Sequence, residues 1–255
     1  MSKQILFYEN AKPVSKKDHQ DLYVKMGQDF SFAQDVNSVP LTVAEFRKAA
    51  SEYAIVFSGE DDHIVPAVIL GSHDKENSYC SSEGWSAKYI PAFVRRYPFI
   101  FSSTDNGQSL VLCIDESYSG CNRDGKGERL FDADGERTQF LNTMLNFVEA
   151  YQKQYQLTRL FCKQLKELDL LEPMRANFKL PTGEQRSIAG FSVINREKLQ
   201  ALKGEQLEGL MKNGSIELAY LHLQSMNNLT NILEKKATTD ANSLSQEPAE
   251  EATAP

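Results

Sequence analysis

No stretch of this 255-residue chain approaches the roughly 18 uninterrupted apolar residues that a membrane-spanning helix needs. The first ten residues hold one short apolar run, Ile5 to Phe7, before acidic Glu9. A secretory signal requires roughly 7–15 apolar residues there, so a cytoplasmic location is expected. Basic charge is also scarce: 28 Lys and Arg stand against 35 Asp and Glu, a net charge of −7. That balance argues against a general nucleic-acid binder, which needs a basic footprint to release counterions. The four cysteines, Cys80, Cys113, Cys121 and Cys162, form no C-x-x-C pair and read as free thiols. Cys113 and Cys162 lie among apolar neighbours, whereas Cys121 falls in a polar loop.

Metal and cofactor signatures are missing as well. His19, His63, His73 and His222 show no H-x-H, H-E-x-x-H or other paired spacing. No metal and no cofactor is expected. His222 lies on the apolar stripe of a helix and reads as a core histidine bonded to a neighbour, while remaining the best single titratable candidate. Gly120-Cys-Asn-Arg-Asp-Gly-Lys126-Gly127 satisfies the first seven positions of a phosphate loop. Gly127 stands where Ser or Thr would hold magnesium, and no helix of useful length follows. Asp132-Ala-Asp-Gly135 resembles a calcium loop, but its first and last ligand positions would be Leu130 and Leu141. Both stretches read as turns. Gly190-Phe-Ser-Val-Ile194 lacks the final glycine of a nucleophile elbow. Asp115 and Glu116 follow a strand and read as solvated charges. No catalytic residue is identified, and the chain reads as leaning away from an enzyme.

What the chain does have is one dense aromatic and basic run, Trp85 to Phe101, containing Tyr89-Ile-Pro-Ala-Phe-Val-Arg95-Arg96-Tyr97-Pro-Phe99. Pro91 suits the first turn of a helix and Pro98 stops it. In that short helix Ile90, Phe93, Val94 and Tyr97 are expected to pack down, with Arg95 and Arg96 pointing outward. Trp85, Tyr89, Arg95 and Arg96 are therefore the candidate binding residues, with a guanidinium forking onto a carboxylate or phosphate beside the two rings.

The chain reads as α+β, with a strand-rich N-terminal half carrying short helices and a mainly helical C-terminal half carrying one β-hairpin. Phe30–Phe32 and Asn37–Pro40 look extended. Thr42 and Glu45 form a capping box heading a helix to about Tyr53. Ala54–Ser58 and Ile64–Leu70 form a hairpin in which Pro66 marks an edge strand or bulge. Ser109–Asp115 is a strand. Thr138 to about Leu168 repeats apolar residues at three- and four-residue steps, one long helix on the order of 45 Å that bends or projects toward a partner. A hairpin over Pro181–Glu184 follows, then helices Arg196–Leu202, Glu205–Lys212 and Ser215–Glu234, with Gly214 ending the second. Residues 1–236 read as one globular domain and 237–255 as a disordered acidic tail.

Seven runs together resemble the SapC family of bacterial proteins: Phe7–Asn10, Asp35–Leu41, Tyr89–Phe99, Cys113–Asp115, Leu130–Asp132, Leu168–Pro173 and Leu218–Leu223. Their order and spacing extend the resemblance over about residues 5 to 233. It implies an association with surface-layer protein export loci and, in other genomes, with outer-membrane receptors and flavin-dependent halogenase-like proteins. A same-named peptide-uptake permease is a different molecule with membrane spans. The resemblance brings no catalytic residue with it. The function expected is a soluble, non-catalytic accessory protein that binds a polypeptide or partner protein in surface-layer or envelope-related export. The alternative is an enzyme, or obligate enzyme partner, acting on a peptide or small carboxylated ligand near Trp85, Tyr89 and Arg95. Small-molecule sensing by the β-rich half is a third, weaker option.

Overall fold

The computed structural model describes residues 6–27, 29–81, 83–104, 109–179 and 185–232. It is α+β, strand-rich first and helical later. The strands in chain order are β1 (Ala11–Pro13), β2 (Tyr23–Val24), β3 (Ser38–Pro40), β4 (Ile55–Ser58), β5 (Val65–Ile69), β6 (Cys80–Ser81) and β7 (Gly84–Trp85). They continue with β8 (Phe99–Thr104), β9 (Ser109–Asp115), β10 (Cys121–Asn122), β11 (Glu128–Arg129), β12 (Leu171–Lys179) and β13 (Gln185–Ile194). The helices are α1 (Lys16–His19), α2 (Phe46–Ala49), α3 (Ala92–Arg95), α4 (Gln139–Glu167), α5 (Arg196–Ala201), α6 (Glu205–Lys212) and α7 (Ser215–Ser225).

The largest sheet has the order β12-β13-β4-β5-β3, so the late hairpin joins strands from the N-terminal half. β4 and β5 pair antiparallel as their β-branched, apolar runs predict. Pro66 corrects its expected place, because β5 is an interior strand. Its carbonyl accepts from Leu41 N at 2.9 Å, and the donor it lacks falls where β3 has already ended at Pro40. Ile55 and Phe57 enter the main apolar cluster, which runs from Phe7 to Ala219. Val56, on the opposite face, packs with Ala67, Ile69, Phe191, Val193 and Ile232 in a second cluster.

β13 meets β4 at only two register pairs, Phe191–Ser58 and Ser192–Phe57. Beyond them the two strands part, and α7 supplies what the ladder does not. His222 Nε2 accepts from Ile194 N at 3.0 Å, and its Nδ1 lies 2.9 Å from Ile55 O. Ser225 Oγ accepts from Ile55 N at 3.0 Å. Two α7 side chains therefore satisfy backbone groups of both strands where they fork.

α4 begins at Thr138, whose side chain accepts from Leu141 N, and ends beyond Leu168, where Asp169 adopts a left-handed φ of 52°. Its buried stripe includes Leu141, Met144, Val148, Tyr151, Phe161 and Leu165, as the periodicity predicts. Farther along, Leu160 on the outer side is 63% exposed. Against α4 lies a three-stranded sheet of order β1-β9-β8, with Phe99 and Phe140 in edge-to-face contact at 6.0 Å.

Several boundaries differ from the pattern-based expectation. Ser31–Ala33 forms a 3-10 turn instead of an extended segment, its first turn anchored by Asp29 Oδ1 accepting from Ser31 N. The Thr42–Glu45 capping box is present, but it heads a 3-10 turn and a helix that stops at Ala49, not near Tyr53. There the chain turns so that Tyr53 enters the core. α7 ends at Ser225 and passes into the 3-10 turn Met226–Leu229. The turn expected at Pro181–Glu184, the helical end at Leu233–Glu234 and the tail expected over 237–255 lie outside the described residues.

Candidate functional site

The Trp85–Phe101 run is bolted to the α2 region by carboxylates. Glu45, almost fully buried, collects four hydrogen bonds. Its Oε2 accepts from Thr42 N and Thr42 Oγ1, each at 2.8 Å, and its Oε1 from Tyr89 OH at 2.8 Å and Ala92 N at 2.6 Å. Glu52 accepts from Lys88 N at 2.8 Å and Tyr89 N at 3.0 Å. Tyr53 donates to Tyr89 O and accepts from Trp85 Nε1 at 2.7 Å. Trp85 is half-buried, stacked on Tyr79 and edge-on to Phe30. Burial pushes the Tyr53 and Tyr79 hydroxyls up; at Tyr89, burial and then the adjacent Glu45 charge do the same. All three remain protonated donors at neutral pH. The arrangement orders the segment from Trp85 to Ala92.

The two arginines part company. Arg95 is exposed; its Nε donates to Ile90 O at 2.9 Å and its guanidinium stacks over Tyr89 and Phe147, 5.7 and 5.2 Å from the ring centroids. Arg96, expected to point outward, is only 1% exposed. Its guanidinium lies 4.3 Å from the Phe93 ring centroid and 4.6 Å from that of Tyr151, and it hydrogen-bonds Tyr8. The faces of these rings and the Tyr8 hydroxyl offset part of the cost of burying the charge. Arg96 follows Phe93 by three residues, which is the spacing of one helix face, and helical phase outweighs the preference of the charge for water. Phe93, Val94 and Tyr97 are buried as expected, and Ile90 is half-buried.

Asp115 is likewise fully buried, not a solvated strand end. Its carboxylate accepts from Glu9 N at 2.7 Å, Asn10 N at 3.1 Å and Ser117 N at 3.0 Å, fixing the N-terminal segment to the end of β9. The phosphate-loop lookalike is closed by its own asparagine: Asn122 Oδ1 accepts from Asp124 N and Lys126 N, each at 3.1 Å. Those amides are thus unavailable to phosphate. Asp132 Oδ1 plays the same part for Asp134 N and Glu136 N, and Gly135 has φ +81°. His222 has its pKa pushed down to about 4 by burial, against the bond to Ile55 O. Because its Nε2 accepts from an amide, the proton sits on Nδ1, and the ring is a neutral bridge within the core. Burial raises all four thiols, Cys80 and Cys121 to about 11 and Cys162 to about 12, so none is a thiolate at neutral pH. Cys121 is half-buried. Among the described residues no group of three or more His, Cys, Asp or Glu side chains is placed to hold a metal ion.

Among the described residues, recesses lie at two places along α4, and neither is lined by Trp85, Tyr89, Arg95 or Arg96. One, of about 420 Å³, lies by the Asp61–His63 turn, where Lys166 reaches Asp61 at 3.4 Å and Asp62 at 3.6 Å. The other, of about 630 Å³, is a wedge between α4 and the β8–β9 face. Phe101, Leu112, Leu141 and Leu145 line it, and Lys16, Arg137 and Lys153 stand with Glu149 on its walls. Sequence reasoning did not single out this groove. Its one signal is that Leu145 and Glu149 flank the buried stripe of α4 at four-residue spacing, an apolar position leading onto a charged one.

A family model described as SapC matches residues 14–232, and the chain belongs to the SapC family. No curated protein and no solved structure matches it. Among the described residues no helix is long and apolar enough to cross a membrane.

Proposed function

We propose that this SapC-family chain is a non-catalytic accessory protein that binds a polypeptide or partner protein. The observation that carries the reading is the apolar wedge beside α4, open to solvent and walled by charged side chains. Grooves of this kind take an apolar segment and orient it by a few polar groups. On the opposite flank of α4, Arg95 stacked on Tyr89 and Phe147, with Trp85 behind, is proposed as a second contact. Aromatic-supported arginines of this type are enriched at binding hot spots. A cytoplasmic setting, and a role in surface-layer or envelope export implied by the family, belong to the same proposal, as does a single domain spanning residues 1–236.

The test is crosslinking of the full chain in lysate of its native cell. One polypeptide is expected to crosslink through α4 and the Tyr89–Arg95 surface, and Arg95→Glu is expected to weaken its capture. Failure to recover any specific polypeptide at either surface counts against the proposal.

A further inference from the structure

We propose that the wedge beside α4 takes an extended acidic polypeptide that adds a strand to the open edge of β9. This deepens the polypeptide-binding reading above and rests on it.

Among the described residues the edge is open because β1 is short. It pairs only with Cys113 to Asp115, after which Val14 N donates to Leu112 O at 2.8 Å. Ser15 then caps α1 and turns the chain away, its side chain accepting from Asp18 N. β8 covers the other side of β9 along its whole length. With Leu112 O committed to Val14, the alternation of an antiparallel ladder aims the Leu110 N–H and C=O at the same uncovered side. A strand laid there in line with β1 would complete that pair.

The walls of the wedge suit the side chains of such a strand. Along one face of β9, burial falls from Ile114, fully buried, through half-buried Leu112 to Leu110, 46% exposed, as the sheet runs out from under α4. The apolar floor thus reaches solvent where the backbone edge is free. Lys16, Arg137 and Lys153 face one acidic neighbour, Glu149. Lys16 Nζ donates to the neutral Asp134 O at 2.7 Å, and no ion pair involves these three cations among the described residues. This excess of positive charge on a chain of net charge −7 selects an acidic partner. A fatty acyl chain would fit the floor and the cations but would leave the Leu110 backbone unpaired, which favours a peptide.

The probe is a fluorescein-labelled, acetylated hexapeptide, Val-Val-Glu-Glu-Val-Val, which presents both residue types on each face of a strand, titrated against the full chain by fluorescence anisotropy. Saturable binding is expected. It should weaken at least about tenfold in Arg137→Glu/Lys153→Glu, in raised salt, and when lysine replaces glutamate in the peptide. Leu110→Pro, which removes the edge N–H, is expected to weaken it about fivefold or more. Melting curves report whether the variants stay folded. A hexapeptide N-methylated along one edge tests the same backbone bonding without altering the protein, and about tenfold weaker binding is expected. Absence of saturable binding to the unaltered chain overturns the groove assignment, as does binding indifferent to both the charge reversal and the N-methylation. Binding of dodecanoate with none of the hexapeptide also overturns it, in favour of an acyl ligand. None of these results decides the broader polypeptide reading, which stands or falls on the crosslinking experiment.

Discussion

Tyr89 donates its hydroxyl to Glu45 Oε1 at 2.8 Å across 44 residues of sequence, and the same oxygen accepts from Ala92 N. One carboxylate thereby closes a local capping box and holds down the most aromatic segment of the chain. Glu45→Gln should destabilise by about 2–4 kcal/mol, since an amide nitrogen would face buried donors. Tyr89→Phe should cost about 1 kcal/mol, and the double variant less than the sum. Urea denaturation of all four proteins measures this; strict additivity would remove Glu45 from the role given to it.

Adjacent Arg95 and Arg96 should behave oppositely. Arg96→Ala opens a cavity among Tyr8, Phe93 and Tyr151 and is expected to cost about 3–5 kcal/mol. Arg96→Met, closer in volume, should recover much of it. Arg95→Ala should cost under about 1 kcal/mol. Equal losses for the two alanine variants in chemical denaturation would contradict the burial described.

His222 predicts a direction of pH dependence. With its folded pKa pushed down to about 4 from 6.5, the unfolded chain takes up the proton first as pH falls. The contribution is full above about pH 7, declines between 6.5 and 4, and is lost below; it amounts to about 3 kcal/mol. His222→Gln should lower stability at pH 7 and flatten the slope across that window. Stability measured by denaturant titration at several pH values tests it, and an unchanged slope in the variant would falsify the assignment.

Gly127 and Gly125 share the phosphate-loop lookalike but differ in surroundings. A Cβ on Gly127, at φ +97°, would come within 2.5 Å of Val24 O, whereas one on Gly125 would meet nothing within 4 Å. Gly127→Ala should therefore cost several times more stability than Gly125→Ala, which carries only the backbone penalty of about 1 kcal/mol. Neither variant should alter a melting temperature response to magnesium–ATP, because none is expected in the parent chain.

The thiols should be inert while the fold holds. At pH 7.5 an aromatic disulfide reagent should modify Cys80, Cys113, Cys121 and Cys162 at least about a hundredfold more slowly than in denaturant. One rapidly labelled cysteine in the native protein would reopen thiol chemistry at that residue.

The elements most legible in the sequence were those whose signal is local. The 29-residue α4 follows from apolar residues at three- and four-residue steps. The β4–β5 hairpin follows from two β-rich runs, and the Asn195 cap of α5 from one side chain reaching Lys198 N. The candidate site was less legible. The i,i+4 spacing of Phe93 and Tyr97 predicts an inner face that leaves Arg96 outside, whereas the i,i+3 spacing from Phe93 carries Arg96 onto the buried side. The wedge beside α4 escaped notice because it is a space between elements, and no short run of residues records the width of a gap.

Sequence alone determined the class of fold and the family, because each rests on composition or on near neighbours along the chain. Tertiary structure alone decided that the late hairpin completes an N-terminal sheet, that His222 bridges Ile55 and Ile194, and that Glu45 clamps Tyr89. Such contacts depend on which distant segments the buried core brings together, and hydrogen bonds inside it follow that packing.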